Sequence, residues 1–375
     1  MNDFEINDCR KNTDFKSISF SKYPRGQVKQ ELLKCLYNNN IESSCYWSIE
    51  LICAGHYKDL WEIIIFYMSK YIHIGNPKLP IYIDLKFQCF KNIISNGYAD
   101  NELLLRNNKS IRILFAEIIC ILCTTRKKHG FESLSIKNQN DFDIINLTSK
   151  LNAPNTTFAQ VIYKNDDPKE LFIAVNEFAY HISKLSRDST KACYWVEWII
   201  QYDYKCKQKK LNCSCERRTF APVSDKQQMN IIWIIWDVLT HNCSSYHNIY
   251  SRIIFALLNL FSIRYNPACN KRRKYIMYFA IGVLTENINV DIPLIDNKKL
   301  IENVTNKINI IYKQVKKNED APKTDYLFTN IEKSNLDKTI EKLEKLEKFR
   351  KFETFEKLQH NGDVTPLKSR STFYA

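Results

Sequence analysis

The sequence predicts an all-α protein: two related multi-helix halves packed together, followed by a charged C-terminal helix. Three observations carry that prediction. Only 7 glycines and 10 prolines occur among 375 residues, too few turn formers for a β-sandwich or barrel of this length. Apolar residues make up 45% of the chain and recur at helical spacing in long Ile-, Leu-, Lys- and Glu-rich stretches, so a dense helical core is available. Finally, the stretch Cys45-Tyr46-Trp47 returns as Cys193-Tyr194-Trp195 in a similar surrounding. Tyr46, Trp47, Tyr194 and Trp195 are therefore expected to be structural, each pair an interior post of its own half.

The chain divides on the sequence into 1–25, a flexible N-terminal arm; 26–147, a first half; 148–315, a second half; 316–329, a linker containing Pro322; and 330–375, a charged helix and tail. In the first half a helix is expected over about 27–38, with Val28, Leu32, Leu33 and Leu36 on one face. Asn38-Asn39-Asn40 breaks it. Ser43 or Ser44 is placed to cap the first Cys-Tyr-Trp helix, because a short hydroxyl accepts a hydrogen bond from a free N–H of the first turn. Gly55 stops that helix. The next, over about 58–72, is apolar nearly all round and must be buried on several sides. Between 78 and 90 two periods compete: Ile81, Ile83, Leu85 and Phe87 alternate as in a strand, whereas Ile83, Phe87, Phe90 and Ile94 keep helical spacing. No partner strand is evident nearby, so a helix from about Pro80 is expected. A further helix covers about 109–124, and the polar stretch to Asn146 reads as a loop.

In the second half Pro168 suits the first turn of a helix over about 168–184. Asp188 or Ser189 caps the second Cys-Tyr-Trp helix, which runs to about Tyr204. A basic, cysteine-containing loop follows from Cys206 to Arg218. Apolar helices are expected over about 225–240 and 247–264, then one continuing to about 285 after Lys271-Arg272-Arg273-Lys274, then an amphipathic one over about 298–317. In the tail, apolar residues recur every third position from Leu343 onward. Such a series winds round an α-helix instead of forming a stripe. A helix lying across its own protein or a partner is expected, not a coiled coil.

The formal charge is +14. A balance this basic points to an acidic partner such as nucleic acid; the alternative is a set of well-solvated helix surfaces, since no Arg-rich tract occurs. Three basic loops supply nucleic-acid-binding candidates: Arg126, Lys127 and Lys128; Lys209, Lys210, Arg217 and Arg218; Arg272 and Arg273. Tyr204 and Tyr246 lie near enough in sequence to stack bases beside them. The thirteen cysteines follow a polar, charged N-terminus that lacks the pattern of a secretory leader, so free thiols in a reducing, intracellular compartment are expected. The longest apolar runs are too short for a membrane span of about 20 residues. Gly-rich phosphate loops are missing, which excludes Rossmann and P-loop chemistry.

Cys206, Cys213 and Cys215 are the metal candidates. Thiolates at this spacing reach one zinc if Cys243, His241 or Cys269 supplies a fourth ligand, although the paired Cys-x2-Cys knuckles are missing; the alternative is a solvated loop with incidental cysteines. Cysteine catalysis would need His56, His73 or His181 beside a thiolate, and no surrounding motif singles out such a pair. Glu50 and Glu197 sit on the repeated helices, three and two residues after the tryptophan. That shift in register favours salt bridges over a shared acid–base site.

Two resemblances rest on these motifs. Tyr46-Trp47, Leu51, Ala54-Gly55 and then Gly75-Asn76 before Pro80 resemble the collar helices of clamp-loader-type AAA+ proteins, especially replication-associated recombination factors. Asp188 to Trp198 looks similar. The resemblance implies helical assembly only, because the Gly-Lys-Thr phosphate loop of that family has no counterpart. The wording of 43–80 and 191–218 also resembles uncharacterised proteins of large nucleocytoplasmic DNA viruses of algae and amoebae, in keeping with the abundance of Asn, Ile, Lys and Tyr. The expected function is a non-catalytic, viral assembly or adaptor protein acting through protein–protein contacts. The alternative is a DNA-replication accessory that binds nucleic acid, or a clamp-loader-like partner, through the basic loops. A metal-dependent enzyme ranks third.

Overall fold

Helices build the chain, as its glycine-poor sequence predicts; among the described residues there is no strand, and only the isolated bridges Ile18–Pro24 and Ser214–Asn230 pair extended backbone. The computed structural model describes residues 3–98, 101–128, 136, 142, 147–211, 213–243, 248–320 and 339–347. Tyr246, His129 and most of the expected tail helix over 330–359 lie outside the described residues. Residues 1–320 form one compact unit and 321–375 another.

In the first unit the helices are α1 (Arg25–Tyr37), α2 (Ile41–Cys53), α3 (Tyr57–Tyr67), α4 (Leu79–Ser95), α5 (Lys109–Thr124), α6 (Thr157–Gln160), α7 (Phe172–Ile182), α8 (Ser189–Gln208), α9 (Ile232–Cys243), α10 (Asn248–Ser262), α11 (Cys269–Thr285) and α12 (Lys298–Lys316). The two Cys-Tyr-Trp helices are α2 and α8. Asp188 caps α8 as expected, accepting from the Lys191 N–H at 2.9 Å. In α2 the cap is Asn40, not Ser43 or Ser44: its side chain accepts from the Ser43 N–H. Asn40 has the extended backbone that a cap needs, whereas both serines already lie inside the helix. Trp47 and Trp195 are each 1% exposed. Tyr46 is buried against Trp47, and Tyr194 is half-buried, with its hydroxyl taking a bond from Lys150.

The central post is neither of these helices but α11. It packs against α3, α7, α8, α9 and α10, and its residues from Tyr275 to Thr285 are all buried. The two sets of helices share this core. Thus α4 packs on α10, and α12, grouped by sequence with the second half, lies on α2 and α5. An α-helix that is apolar all round needs neighbours on every side, and neither half alone has enough helices to surround α2, α3 and α11.

Four further expectations need correction. The first 25 residues are not a loose arm. Ile6, Phe15, Phe20 and Tyr23 are buried; Ile6 exchanges hydrogen bonds with the Asn107 side chain; Arg10 stacks over Phe15 and Phe20 and pairs with Asp8. The expected linker is also tied at its start, where the Asp320 N–H donates to Asp8. The helix expected at about 225–240 begins only at Ile232, because 215–230 is held as a loop: Cys215 N donates to Met229 O and Arg218 N to Gln228 O. The apolar helix expected over 58–72 is α at first, then makes a π-turn over Met68–Ile72 and a 3-10 turn over His73–Gly75. Ser69 donates its hydroxyl back to Ile65 O there, a local competitor of the regular ladder. By contrast α4 settles the helix-or-strand ambiguity as expected, with Pro80 in its first turn.

Gly75 is where that irregular turn meets the loop after α5. A Cβ built on it would lie 2.5 Å from the Arg126 carbonyl oxygen. Backbone cannot swing aside as a flexible side chain can. Gly75→Ala is expected to destabilise the protein by about 1–3 kcal/mol, as overpacking does, read as a lower urea midpoint at unchanged m-value.

In the second unit residues 339–347 are helical, with Ile340, Leu343 and Leu346 exposed.

Candidate functional site: a cleft with an aromatic floor and a cationic rim

Between α3, α4 and the end of α10 lies a cleft of about 770 Å³. Its floor is a cluster of rings. Tyr57 and Trp61 come from α3, Phe87 and Phe90 from α4; Trp61 meets Phe87 edge-on at 5.0 Å and Phe90 at 5.5 Å. Helical spacing does the positioning: Tyr57 and Trp61 are four residues apart, as are Phe87 and Lys91, so each pair lies on one helix face. Ile94 and Ile263, both half-buried, extend the apolar wall.

Charge sits on the rim. Glu62 is taken by Arg273 at 2.5 Å. Arg273 also donates to the carbonyls of Phe261 and Ile263, so this guanidinium closes the exposed end of α10. Glu102 pairs with Arg264 at 3.1 Å. Lys58 and Lys91 are exposed and have no carboxylate partner among the described residues, Lys91 lying 5.7 Å from the Phe87 ring centroid. Deep in the wall, the Tyr57 hydroxyl and the Trp61 indole N–H have no hydrogen-bond partner among the described residues. Sequence alone offers the aromatic residues as core; the readable sign of a surface was each lysine three or four positions from a ring, Lys58 before Trp61 and Lys91 after Phe87.

The candidates named from sequence fare differently. Arg218 and Arg273, proposed for phosphate contact, are 1% and 4% exposed. Arg218 is clasped by Asp167 at 2.6 Å and Asp237 at 2.8 Å. Burial alone would lower its pKa; the Asp167 hydrogen bonds and charge outweigh it and raise it. Neither arginine can reach a phosphate. Lys127 binds the Tyr37 carbonyl and Asn39 side chain, Lys128 pairs with Glu286, and Arg217 with Asp225 and Gln228. Arg126, Lys209, Lys210 and Arg272 are exposed, Arg272 contacting the Cys269 sulfur. Two of the basic segments do come together: Lys271 lies 3.7 Å over the ring of Tyr204, which is 45% exposed.

The cysteine triad does not converge. Cys213 meets Cys206, and burial pushes its thiol well up. Cys215 points elsewhere, to the Asn230 carbonyl, and is pushed up to about 12 by burial. Among the described residues no three His, Cys, Asp or Glu side chains are grouped to hold a metal, so Cys206, Cys213 and Cys215 do not form the candidate zinc site; the backbone pairing of Cys215 with Met229 turns its thiol away from the other two. All thirteen cysteines are free thiols. The imidazoles are engaged away from them: His56 with the Ile18 carbonyl, His73 stacked on Phe279, His181 with Ser186 and Glu177.

Glu50 and Glu197 are buried in separate networks. Glu50 accepts from the Ser19 hydroxyl at 2.7 Å and from the N–H and hydroxyl of Ser21; burial raises its pKa against those bonds. Glu197 holds Lys274 and the Tyr278 hydroxyl. A salt bridge thus exists at one glutamate only. Among the described residues no helix is long and apolar enough to cross a membrane.

The fold and site define an all-α protein with a charged, aromatic-floored cleft. No protein-family model matches the chain, and no curated protein or solved structure is significantly similar to it.

Proposed function

We propose that the chain is a non-catalytic helical adaptor that captures part of a protein partner in the cleft walled by α3, α4 and α10. The cleft is the observation that supports it. Protein interfaces place aromatic anchors at a dry centre and charges at a solvated rim, and this cleft has that arrangement. Among the described residues Arg218, Glu197 and Glu50 are each held by internal partners, and no acid, base and nucleophile converge in the cleft. Free thiols and the Asn-, Ile- and Lys-rich composition support an intracellular, viral setting.

The test is affinity capture of the full chain from expressing cells, compared with Ile94→Asp, a change at the half-buried wall of the cleft. Wild type is expected to retain a discrete set of proteins that the variant loses while keeping its circular dichroism and melting temperature. An identical set from both would sink the adaptor reading.

A second reading, nucleic-acid binding in a replication accessory, is favoured by the stacked Lys271–Tyr204 pair beside exposed Lys207, Lys209 and Lys210. It predicts a gel shift with single-stranded DNA that weakens steeply with salt and is lost by at least about tenfold in Tyr204→Ala, since one stacked base is worth about 1–3 kcal/mol. A shift insensitive to salt and to Tyr204 would exclude it.

A further inference from the structure

We infer that the partner segment seated in this cleft is acidic and amphipathic: apolar side chains inward, carboxylates along its edges. The inference rests on the adaptor reading and names the class of partner. Four cations and two carboxylates line the cleft: Lys58, Lys91, Arg264 and Arg273 against Glu62 and Glu102. Each carboxylate already has its arginine. The surplus of two positive charges is therefore Lys58 and Lys91, one on each helical wall and both exposed.

A segment covering the floor would strip water from these two ammonium groups. A neutral or basic segment would leave them desolvated without a partner, which is unfavourable; a carboxylate on each edge removes that cost. The floor then decides what lies between the carboxylates. Its apolar surface, extended by Phe87, Ile94 and Ile263, needs apolar side chains, so a bare phosphate or a carboxylate alone would leave it wet. Nucleic-acid bases fit poorly. Stacking requires an open ring face, and Trp61 and Phe90 are 3% and 4% exposed, with their faces covered by each other and by Phe115.

The test uses the full chain and two fluorescein-labelled synthetic amphipathic helices, identical in their Leu and Phe face. One carries Glu along both edges and the other carries Lys. Anisotropy titrations are expected to show the Glu peptide binding at least about tenfold more tightly, a difference of about 1.4 kcal/mol, and more weakly as salt rises. The double variant Lys58→Glu, Lys91→Glu is expected to reverse the preference; both sites are exposed, so the fold should persist, as circular dichroism will report. Equal binding of the two peptides, or a double variant that keeps the wild-type preference, overturns the inference. The adaptor reading fails separately, when Ile94→Asp leaves the set of captured proteins unchanged; if that set is lost but the peptide preference is missing, the partner stands and its acidic character falls.

Discussion

Arg218→Ala is expected to lower the unfolding free energy by about 3–5 kcal/mol, the usual cost of removing one member of a buried ion pair. The side chains of Arg218 and Asp167 are 1% and 0% exposed. Two of the three guanidinium nitrogens bind Asp167, at 3.0 Å and 2.6 Å, and the third reaches Asp237 at 2.8 Å. Taking away the cation leaves the buried Asp167 carboxylate with only the backbone N–H groups of Lys164 and Glu216 as donors, and it loosens the loop that sets the start of α9. Asp237 is the less costly orphan. Burial already raises its pKa, and it is partly exposed, so it can take a proton or water. The measurement is urea unfolding of Arg218→Ala, Asp167→Ala and the double variant. The double variant should recover part of the loss, because neither charge is then left alone. Lys210→Ala, an exposed cation in the same stretch, should change stability by less than about 0.5 kcal/mol. If Arg218→Ala and Lys210→Ala behaved alike, the buried clasp would be disproved and Arg218 would be a surface cation after all.

That contrast shows what the sequence could and could not carry. Local pattern was enough for α4, α5 and α8 and for the apolar bodies of α2 and α11, whose apolar residues repeat at helical spacing; it misplaced the cap of α2, which is Asn40, and took Lys271 to Lys274 for a loop although they lie in the first turns of α11. It was enough, too, for Trp47 and Trp195 being interior. Partners distant in the chain left no local trace. Arg217 and Arg218 are adjacent and look equivalent, yet only Arg218 faces Asp167, 51 residues away. The first 25 residues look polar and loose, yet Ser19 and Ser21 close over Glu50 across about thirty residues. The cleft was invisible for the same reason: its walls come from α3, α4 and α10, and helical periodicity marks a ring as inward without saying whether the neighbour it turns to is another helix or open space. The repeated Cys-Tyr-Trp motif was legible as two buried helices, but its suggestion of two self-contained halves was not a property of the motif. Which helices complete each core is set by α11 and α12, which the repeat does not include.

His73 should make the protein acid-labile over a defined window. Its imidazole is buried, stacked on Phe279 at 4.9 Å, with the ring fitted against α11 where Gly282 has no side chain; a Cβ there would lie 2.7 Å from the His73 ring. Burial lowers its pKa from 6.5 to about 4, the nearby charge of Lys128 acts in the same direction, and a hydrogen bond with the Tyr278 backbone opposes them. In the unfolded chain the imidazole takes a proton near pH 6.5, whereas in the fold it stays neutral until about pH 4. The stabilisation is therefore complete above pH 6.5 and is lost as pH falls toward 4; that gap corresponds to about 3 kcal/mol. His56, also lowered by burial, adds to the slope in the same sense. Asp8 and Asp59, lowered by their arginine partners against burial, act mainly below this window, and Glu50 and Asp237, raised by burial, gain stability as pH falls and so work against it. A single substitution isolates the His73 part. His73→Asn keeps a residue that tolerates the positive φ of 49° at this position but cannot titrate. The variant will be weaker at pH 7 because the stacking is lost, yet its stability should fall by about 3 kcal/mol less than wild type between pH 7 and pH 4, in urea titrations at each pH. Parallel slopes for the two proteins would mean that the imidazole is protonated within the fold, and that the pocket between the turn after α3 and α11 is open to water.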